Sequence, residues 1–500
     1  MLKWQLLPIL VIAVFSCKQK DDVLPNSGDK ENGEMTQLLG KLENPYSVSN
    51  MQKAYNNLQN SNARTATDEL EITTTHLYIK FKPKNNQELE ILKDDTTLIL
   101  YSYPMDYKIS QGSYYHDPSI PDSLPTYQYC SVAVDKNLPH GVTYEVLENL
   151  FIPDEEKIIP SANLRQTSEE SIITLVDEAL RITNNLEPTS ANARVTGRSS
   201  WQPAGRIRVR DDITNTYRGV EGVIVKARRW FTTHQGMVNS NGDYSCDGTF
   251  KRDANYSLDW ERYDFALREG WLDGANINGP KKEGNWDNDF NGDKNAFHAK
   301  VFMAAHHYYY KDIKGLRRPP QNGTLKTQMH IRCYNESNDD VNGTHREERR
   351  FLGLGSQIKI YNPQNPIDEI YGTTIHELAH ASHWNMWRQG EDFDNSDKIV
   401  KESWARGVEW ILTTHIYPNY FIPIWSKKVG SVDPYYYYTL VVKDLIDNQS
   451  GYDNVEGYTI REIEDALQGQ KTWDEWKNNI KNKYNNGTEN NLDALFDYWN

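Results

Sequence analysis

Basic clusters, paired cysteines and membrane-length apolar runs are all scarce in this 500-residue chain. Lys and Arg number 55 against 70 Asp and Glu, a formal charge of −15, and the cations gather only into short runs such as Arg317-Arg318 and Arg349-Arg350. That balance argues against nucleic acid as a partner, because a phosphate backbone is held by clustered positive charge. The four cysteines, Cys17, Cys130, Cys246 and Cys333, show no Cys-x-x-Cys step, which excludes a zinc knuckle, a redox pair and a disulfide-stapled scaffold. With Cys17 set aside as below, the odd number left leaves at least one thiol free. Cys130, Cys246 and Cys333 read as buried small apolar residues, one long-range disulfide being the alternative. Beyond the first residues no stretch is apolar enough to cross a bilayer. A chain of this length can bury a large core and should divide into roughly two to four domains.

What is present begins at the N-terminus. Met1-Leu2-Lys3 is followed by an apolar run from Leu6 to Phe15, then Ser16 and Cys17, the pattern of an export signal. Val14-Phe15-Ser16-Cys17 resembles a bacterial lipobox. The resemblance implies that residues 1–17 are a lipoprotein signal and that Cys17 becomes an acylated first residue; plain secretion with cleavage nearby is the alternative. Residues 18–34 are polar and read as a flexible tether. Lys18 and Lys20 before Asp21-Asp22 resemble the signal that sends some lipoproteins to the outer face of the outer membrane, so the expected location is exported and lipid-anchored there. Membrane contact would then be through lipid alone.

Residues 35–192 read as a small α+β domain, with helices over Val48–Asn62 and Ser168–Asn184 and strands over Thr75–Pro83 and Thr97–Tyr103. A Ser-, Asn- and Thr-rich linker spans about 189–200. From 200 to 268 short alternating strands are broken by turn residues, including an Asn241-Gly242 hairpin signal. Gly222 to Val225 and Gly242 to Tyr244 resemble the carboxypeptidase regulatory-like β-sandwich, which implies a module without activity of its own.

The segment from Gly270 to Asn295 is dense in Gly, Asn and Asp. Asp287 to Gly292 begins like a Ca2+ loop, but the twelfth position is His298 rather than Glu, so an acidic loop capping the next helix is the stronger reading. That helix, Ala296–Tyr310, carries His306 and His307, which either face a cleft or pack. Gln328–Tyr334 and Ser356–Tyr361 alternate as strands, and after Trp410 the chain reads as helical to its end.

Tyr371 to His383 contains His376-Glu377-Leu378-Ala379-His380. On a helix, side chains four apart share one face, so His376 and His380 can offer nitrogens to a single ion. Zinc suits them, with Glu377 as the base acting on water and not a ligand. Thr373 and Thr374 offer capping oxygens, and Ile375, Leu378 and Ala379 supply a face to bury. A third His six residues beyond His380 is absent, that position being Met386. After 21 intervening residues comes Glu402-Ser403-Trp404-Ala405-Arg406-Gly407-Val408-Glu409.

This arrangement resembles the gluzincin metallopeptidases, whose aminopeptidase N branch reads Glu-x-x-Ala-x-x-x-Glu on its second helix. The resemblance implies a zincin-like domain over 270–500, mixed α/β and then mostly helical, with Glu402 as third ligand. It further implies that the strand just before the metal helix, here Ser356–Tyr361, is an edge that pairs with extended substrate. Glu409 is the reserve ligand, or pairs with Arg406 or orients a ligand His. His383 is a further group beside the site or facing substrate. The Gly-x-Met-Glu-Asn sequence of the aminopeptidases is absent. The transition-state donor is left open among His415, Tyr417, Tyr420 and Tyr435 to Tyr438. The expected whole is a multidomain α+β zinc peptidase acting on polypeptide. The alternative is a surface binding or assembly lipoprotein with a structural metal, which 31 Tyr and 14 Trp would also suit.

Overall fold

The computed structural model describes residues 34–60, 70–153, 169–187, 199–269, 273–321, 328–338, 342–345, 358–387, 391–421, 437–447 and 454–500. Cys17, the export signal and the tether up to residue 33 lie outside the described residues, as does most of the linker at 189–200. The fold is mixed α+β, with several sheets and many helices.

The first part holds β1 (Leu38–Lys41), α1 (Val48–Asn60), β2 (His76–Phe81), α2 (Asn86–Asp94), β3 (Tyr107–Ile109), β4 (Gln128–Ala133), β5 (Tyr144–Leu150) and α3 (Glu169–Ile182). β2 lies between β4 and β5 in an antiparallel sheet. Met51 and Ala54 of α1 and Leu175, Val176, Ala179 and Leu180 of α3 meet in a core with Tyr78. The expected strand at Thr97–Tyr103 does not form. Tyr101 alone pairs, in an isolated bridge to Tyr129, and the preceding carbonyl of Leu100 accepts from the Lys226 ammonium at 3.3 Å instead of from a neighbouring strand.

Next come β6 (Ala204–Asp211), β7 (Thr216–Gly219), β8 (Ile224–Arg229), β9 (Thr232–Met237), β10 (Asp243–Ser245), β11 (Ala254–Asp259), β12 (Phe265–Arg268), β13 (Asn276–Lys282) and β14 (Trp286–Phe290). One sheet joins β6 to β7, β10 and β14, and another runs β13-β11-β8-β9. Ile207 and Val209 of the first share a core with Val225, Ala227, Tyr256 and Leu258 of the second. Two expectations change here. Asn241-Gly242 turns the chain between sheets, because β9 pairs with β8 and β10 with β6; Asn239 Oδ1 holds that turn by accepting from Asn241 and Asp243. A boundary at 268–270 also cuts across the pairings, since β13 and β14 complete these two sheets whereas β12 joins the next one.

The turn from β8 to β9 ties this part to the first. Trp230 sits at φ +50°, and Phe231 enters the N-terminal core with its ring 4.9 Å from that of Tyr78.

The last part contains α4 (Lys294–Tyr310), β15 (Met329–Cys333), β16 (Gly343–His345), β17 (Ile358–Ile360), α5 (Ile367–Asn385), α6 (Glu391–Asp394), α7 (Lys398–Ile416), α8 (Val441–Ile446), α9 (Ile460–Leu467), α10 (Trp473–Lys483) and α11 (Leu492–Trp499). Its sheet runs β12-β15-β17-β16, parallel except for β16. The acidic stretch before α4 caps that helix as expected, but its first half is a strand and not a loop. Asp287 to Asp289 lie in β14, Asp289 takes a two-pronged bond from Arg208 at 2.8 and 2.7 Å, and Asp293 caps α4 through the Ala296 amide. His306 and His307 are buried in packing. His307 bonds the Tyr371 hydroxyl at 2.6 Å and His306 stacks on Phe302, and burial lowers the pKa of each to about 4. Cys130, Cys246 and Cys333 are buried free thiols, and burial pushes Cys130 and Cys246 up to about 12.

Candidate metal centre

Helix α5 is buried almost all round, which follows from a sequence with apolar or small residues on every side of the two histidines. It starts at Ile367 directly after Pro366, so Thr373 and Thr374 fall in its second turn and not at its cap. Thr374 Oγ1 donates to the Ile370 carbonyl at 2.8 Å. Helix α7 packs along α5, burying Val400, Trp404, Ala405, Val408 and Leu412. Gly407 lets α8 approach, since a Cβ there would lie 2.3 Å from Val442.

This packing brings His376, His380 and Glu402 together, all more than nine-tenths buried, with ligand atoms within 4.8 Å of one another. Among the described residues it is the one such group of three. Glu402 Oε2 stands 3.2 Å from Nε2 of both histidines. Ligands held tetrahedrally at ~2.0–2.1 Å from a zinc-sized ion are separated by about 3.4 Å, so the spacing fits one cation among the three. The hydrogen bonding agrees. His376 Nδ1 lies 2.9 Å from Glu409 Oε2, and a proton on Nδ1 turns the lone pair of Nε2 toward Glu402. Nε2 and Glu402 then face one another at 3.2 Å with one positive charge belonging between them, a proton or, in its place, a cation. This group could hold a metal ion.

No family model, curated protein or solved structure matches this chain. Its chemistry is therefore read from the geometry alone.

Three carboxylates crowd this interior. Burial by itself would lower the His376 pKa, but the bonds to Glu402 and Glu409 outweigh it and raise it to about 10. Burial likewise opposes ionisation of Glu402, yet His380 and His376 hold its carboxyl far below the usual range. For Glu409 the same penalty is overcome by Arg406 and His376, and its pKa falls to about 2. The cavity is thus built for positive charge.

The remaining expected residues divide. Glu409 does not join the three ligand atoms: it accepts from His376, from Arg406 Nη1 at 3.1 Å and from the Tyr420 hydroxyl at 2.6 Å. Tyr420 is thereby occupied in fixing Glu409. His383 follows His380 on α5. It is fully buried, edge-on to Phe393, with its pKa lowered to about 3 by burial and nearby His380 and Lys401. His415 packs near His307 and Tyr417 near Tyr371. Tyr438 comes closer, its ring centre 6.1 Å from that of His376, whereas Tyr435 and Tyr436 lie outside the described residues.

The strand along the site is not the expected one. β17 is interior, and among the described residues β16 is the edge, antiparallel to it. A Cβ on Gly343 would lie 2.8 Å from Glu377 Oε1, and the His345 ring stacks 6.3 Å from that of His380. Sequence reasoning missed both residues, because a three-residue strand carries no readable alternation.

Proposed function

We propose that this protein is a zinc-dependent metallopeptidase that hydrolyses peptide bonds of an extracellular polypeptide. The observation that carries the reading is the convergence of two imidazoles and one carboxylate from α5 and α7, with a second carboxylate, Glu377, one residue along from His376. Three nitrogen and oxygen ligands suit zinc in a site that keeps a position for water. Zinc held there supplies Lewis acidity toward water and the scissile carbonyl. Glu377 takes the proton from the attacking water on a carboxylate oxygen and returns it to the leaving amine nitrogen. Glu409, tied to Arg406 and Tyr420, keeps the His376 ring in the tautomer that points Nε2 inward. Tyr438 is the candidate donor to the oxyanion, being the aromatic beside His376.

A polypeptide substrate is favoured by β16. Its backbone passes over Glu377 with no side chain at Gly343 to hold it away, and an extended chain laid beside such a strand would pass the three ligands. The register of Glu402, Ala405 and Glu409 on one helix supports a gluzincin-like site. The paired four-stranded sheets fit the regulatory-like module, and lipidation at Cys17 would hold the protein on the bacterial surface. Incubation with a mixed peptide library, with and without a chelator, tests the reading. Cleavage abolished by the chelator and restored by zinc is expected. Zinc retained in stoichiometric amount with no cleavage of any peptide would favour the structural-metal alternative.

A further inference from the structure

A groove of about 590 Å3 lies between the first part of the chain and the two paired sheets, and none of its walls comes from α5 or α7. Its charge is opposite to that of the protein. Lys108, Arg228, Arg229 and Lys281 line it against Glu187 and Asp253, on a chain whose formal charge is −15. Arg228 is 6% exposed, and its guanidinium bonds only carbonyl oxygens, those of Met105 at 3.0 Å and Trp230 at 2.7 Å. No carboxylate among the described residues pairs with it. Arg229 beside it is as deeply buried: its Nη1 bonds the Asp253 carbonyl at 3.1 Å and lies 3.6 Å from Glu187 Oε1, a carboxylate it shares with the Lys281 ammonium, and among the described residues its Nε has no hydrogen-bond partner. An ionised side chain is costly to desolvate without an opposite charge. A groove in which one buried guanidinium has no carboxylate beside it and two further cations share a single one carries surplus positive charge and is complementary to carboxylates.

The other wall is the two-stranded sheet of β1 and β3, from which Leu39 and Tyr107 to Ile109 line the groove. Among the described residues β1 pairs along one edge only, with β3, and Leu39 on it is 66% exposed at the groove. An exposed leucine on β1, the partly buried Trp230 and a set of cations together describe the receptor for a chain carrying both acidic and apolar side chains.

We propose that this groove is a second substrate site, separate from the metal centre, that captures an acidic segment of the polypeptide whose cleavage is proposed above. The proposal rests on that reading for the source of the ligand, but its recognition chemistry is independent of hydrolysis.

The test uses full-length protein carrying Glu377→Gln and a fluorescent peptide of alternating glutamate and leucine, with the lysine–leucine peptide as control. The acidic probe should bind about tenfold or more tightly than the basic one, with affinity falling as salt rises. Lys108→Glu with Lys281→Glu, both on exposed side chains, should weaken it by about tenfold or more while chelator-sensitive cleavage of a short neutral peptide by otherwise wild-type protein stays unchanged. Equal binding of the two probes, unchanged binding by the double variant, or displacement by an acidic oligosaccharide better than by the acidic peptide would overturn the proposal. Charge-dependent capture by a protein that cleaves nothing would keep the groove and remove the peptidase reading. Cleavage without charge preference would do the reverse.

Discussion

His376 Nδ1 and Glu409 Oε2 stand 2.9 Å apart across the α5–α7 interface, and that contact fixes which nitrogen of His376 is turned toward Glu402. It joins the two helices at the point where the ligand atoms meet. Because Arg406 and Tyr420 hold Glu409 from its other sides, the carboxylate cannot swing in to become a ligand without breaking three bonds.

Replacing Glu409 by Gln keeps the shape and removes the charge. Outer partners of ligating histidines are typically worth about 10–100-fold in metal affinity, so Glu409→Gln should lose zinc to a competing chelator at a correspondingly lower concentration. Competition titration with a colorimetric chelator measures this. Unchanged affinity would show that Glu409 serves packing alone.

Gly343 sets the distance between β16 and Glu377. A methyl group placed 2.8 Å from Glu377 Oε1 and from Thr373 Cγ2 must push one of them aside, at a cost of about 1–3 kcal/mol for overpacking. By displacing Glu377, Gly343→Ala should lower kcat/KM by up to about 10²-fold with zinc content unchanged. Activity equal to wild type would mean that β16 does not pass over the catalytic carboxylate.

Outside the His376, His380 and Glu402 group, His116 bonds Asp273 at 3.0 Å and ties the first part of the chain to the segment before β13. Burial would lower the His116 pKa, but Asp273 outweighs it and raises it to about 9 from an ordinary 6.5. A folded-state pKa above the unfolded value gives stability that is fully present below about pH 6.5 and is lost as pH rises toward 9. Thermal unfolding followed across that window should show a falling melting temperature in wild type, and His116→Gln should flatten the dependence. A parallel slope in the variant would remove this pair as its source.

The sequence disclosed the site more fully than the fold around it. His376, Glu377 and His380 announce themselves by a four-residue step on a helix, a local signal whose geometry survives folding, whereas Glu402 was reached only through the resemblance of Glu402, Ala405 and Glu409 to a gluzincin second helix. What escaped depends on distant pairings. Gly343 and His345 sit on a strand too short to alternate, and they matter only because β17 places them over α5. The exchange of β12 against β13 and β14 between sheets is decided by which edges are open, which composition does not encode. Thr97–Tyr103 has the residues of a strand, yet Lys226 takes the Leu100 carbonyl and the ladder stops at one bridge. Asp287 to Asp293 divides, since Asp293 caps the next helix as the sequence suggested, whereas Asp287 to Asp289, expected in a loop, became a strand facing Arg208.

The most direct test of the account measures zinc content and peptide cleavage on one preparation of Glu377→Gln. Glu377 is read as a base and not a ligand, so the variant should bind zinc as wild type does while its turnover falls by about 10²–10⁴-fold. Loss of the metal, or cleavage at the wild-type rate, would contradict the roles given to His376, Glu377, His380 and Glu402.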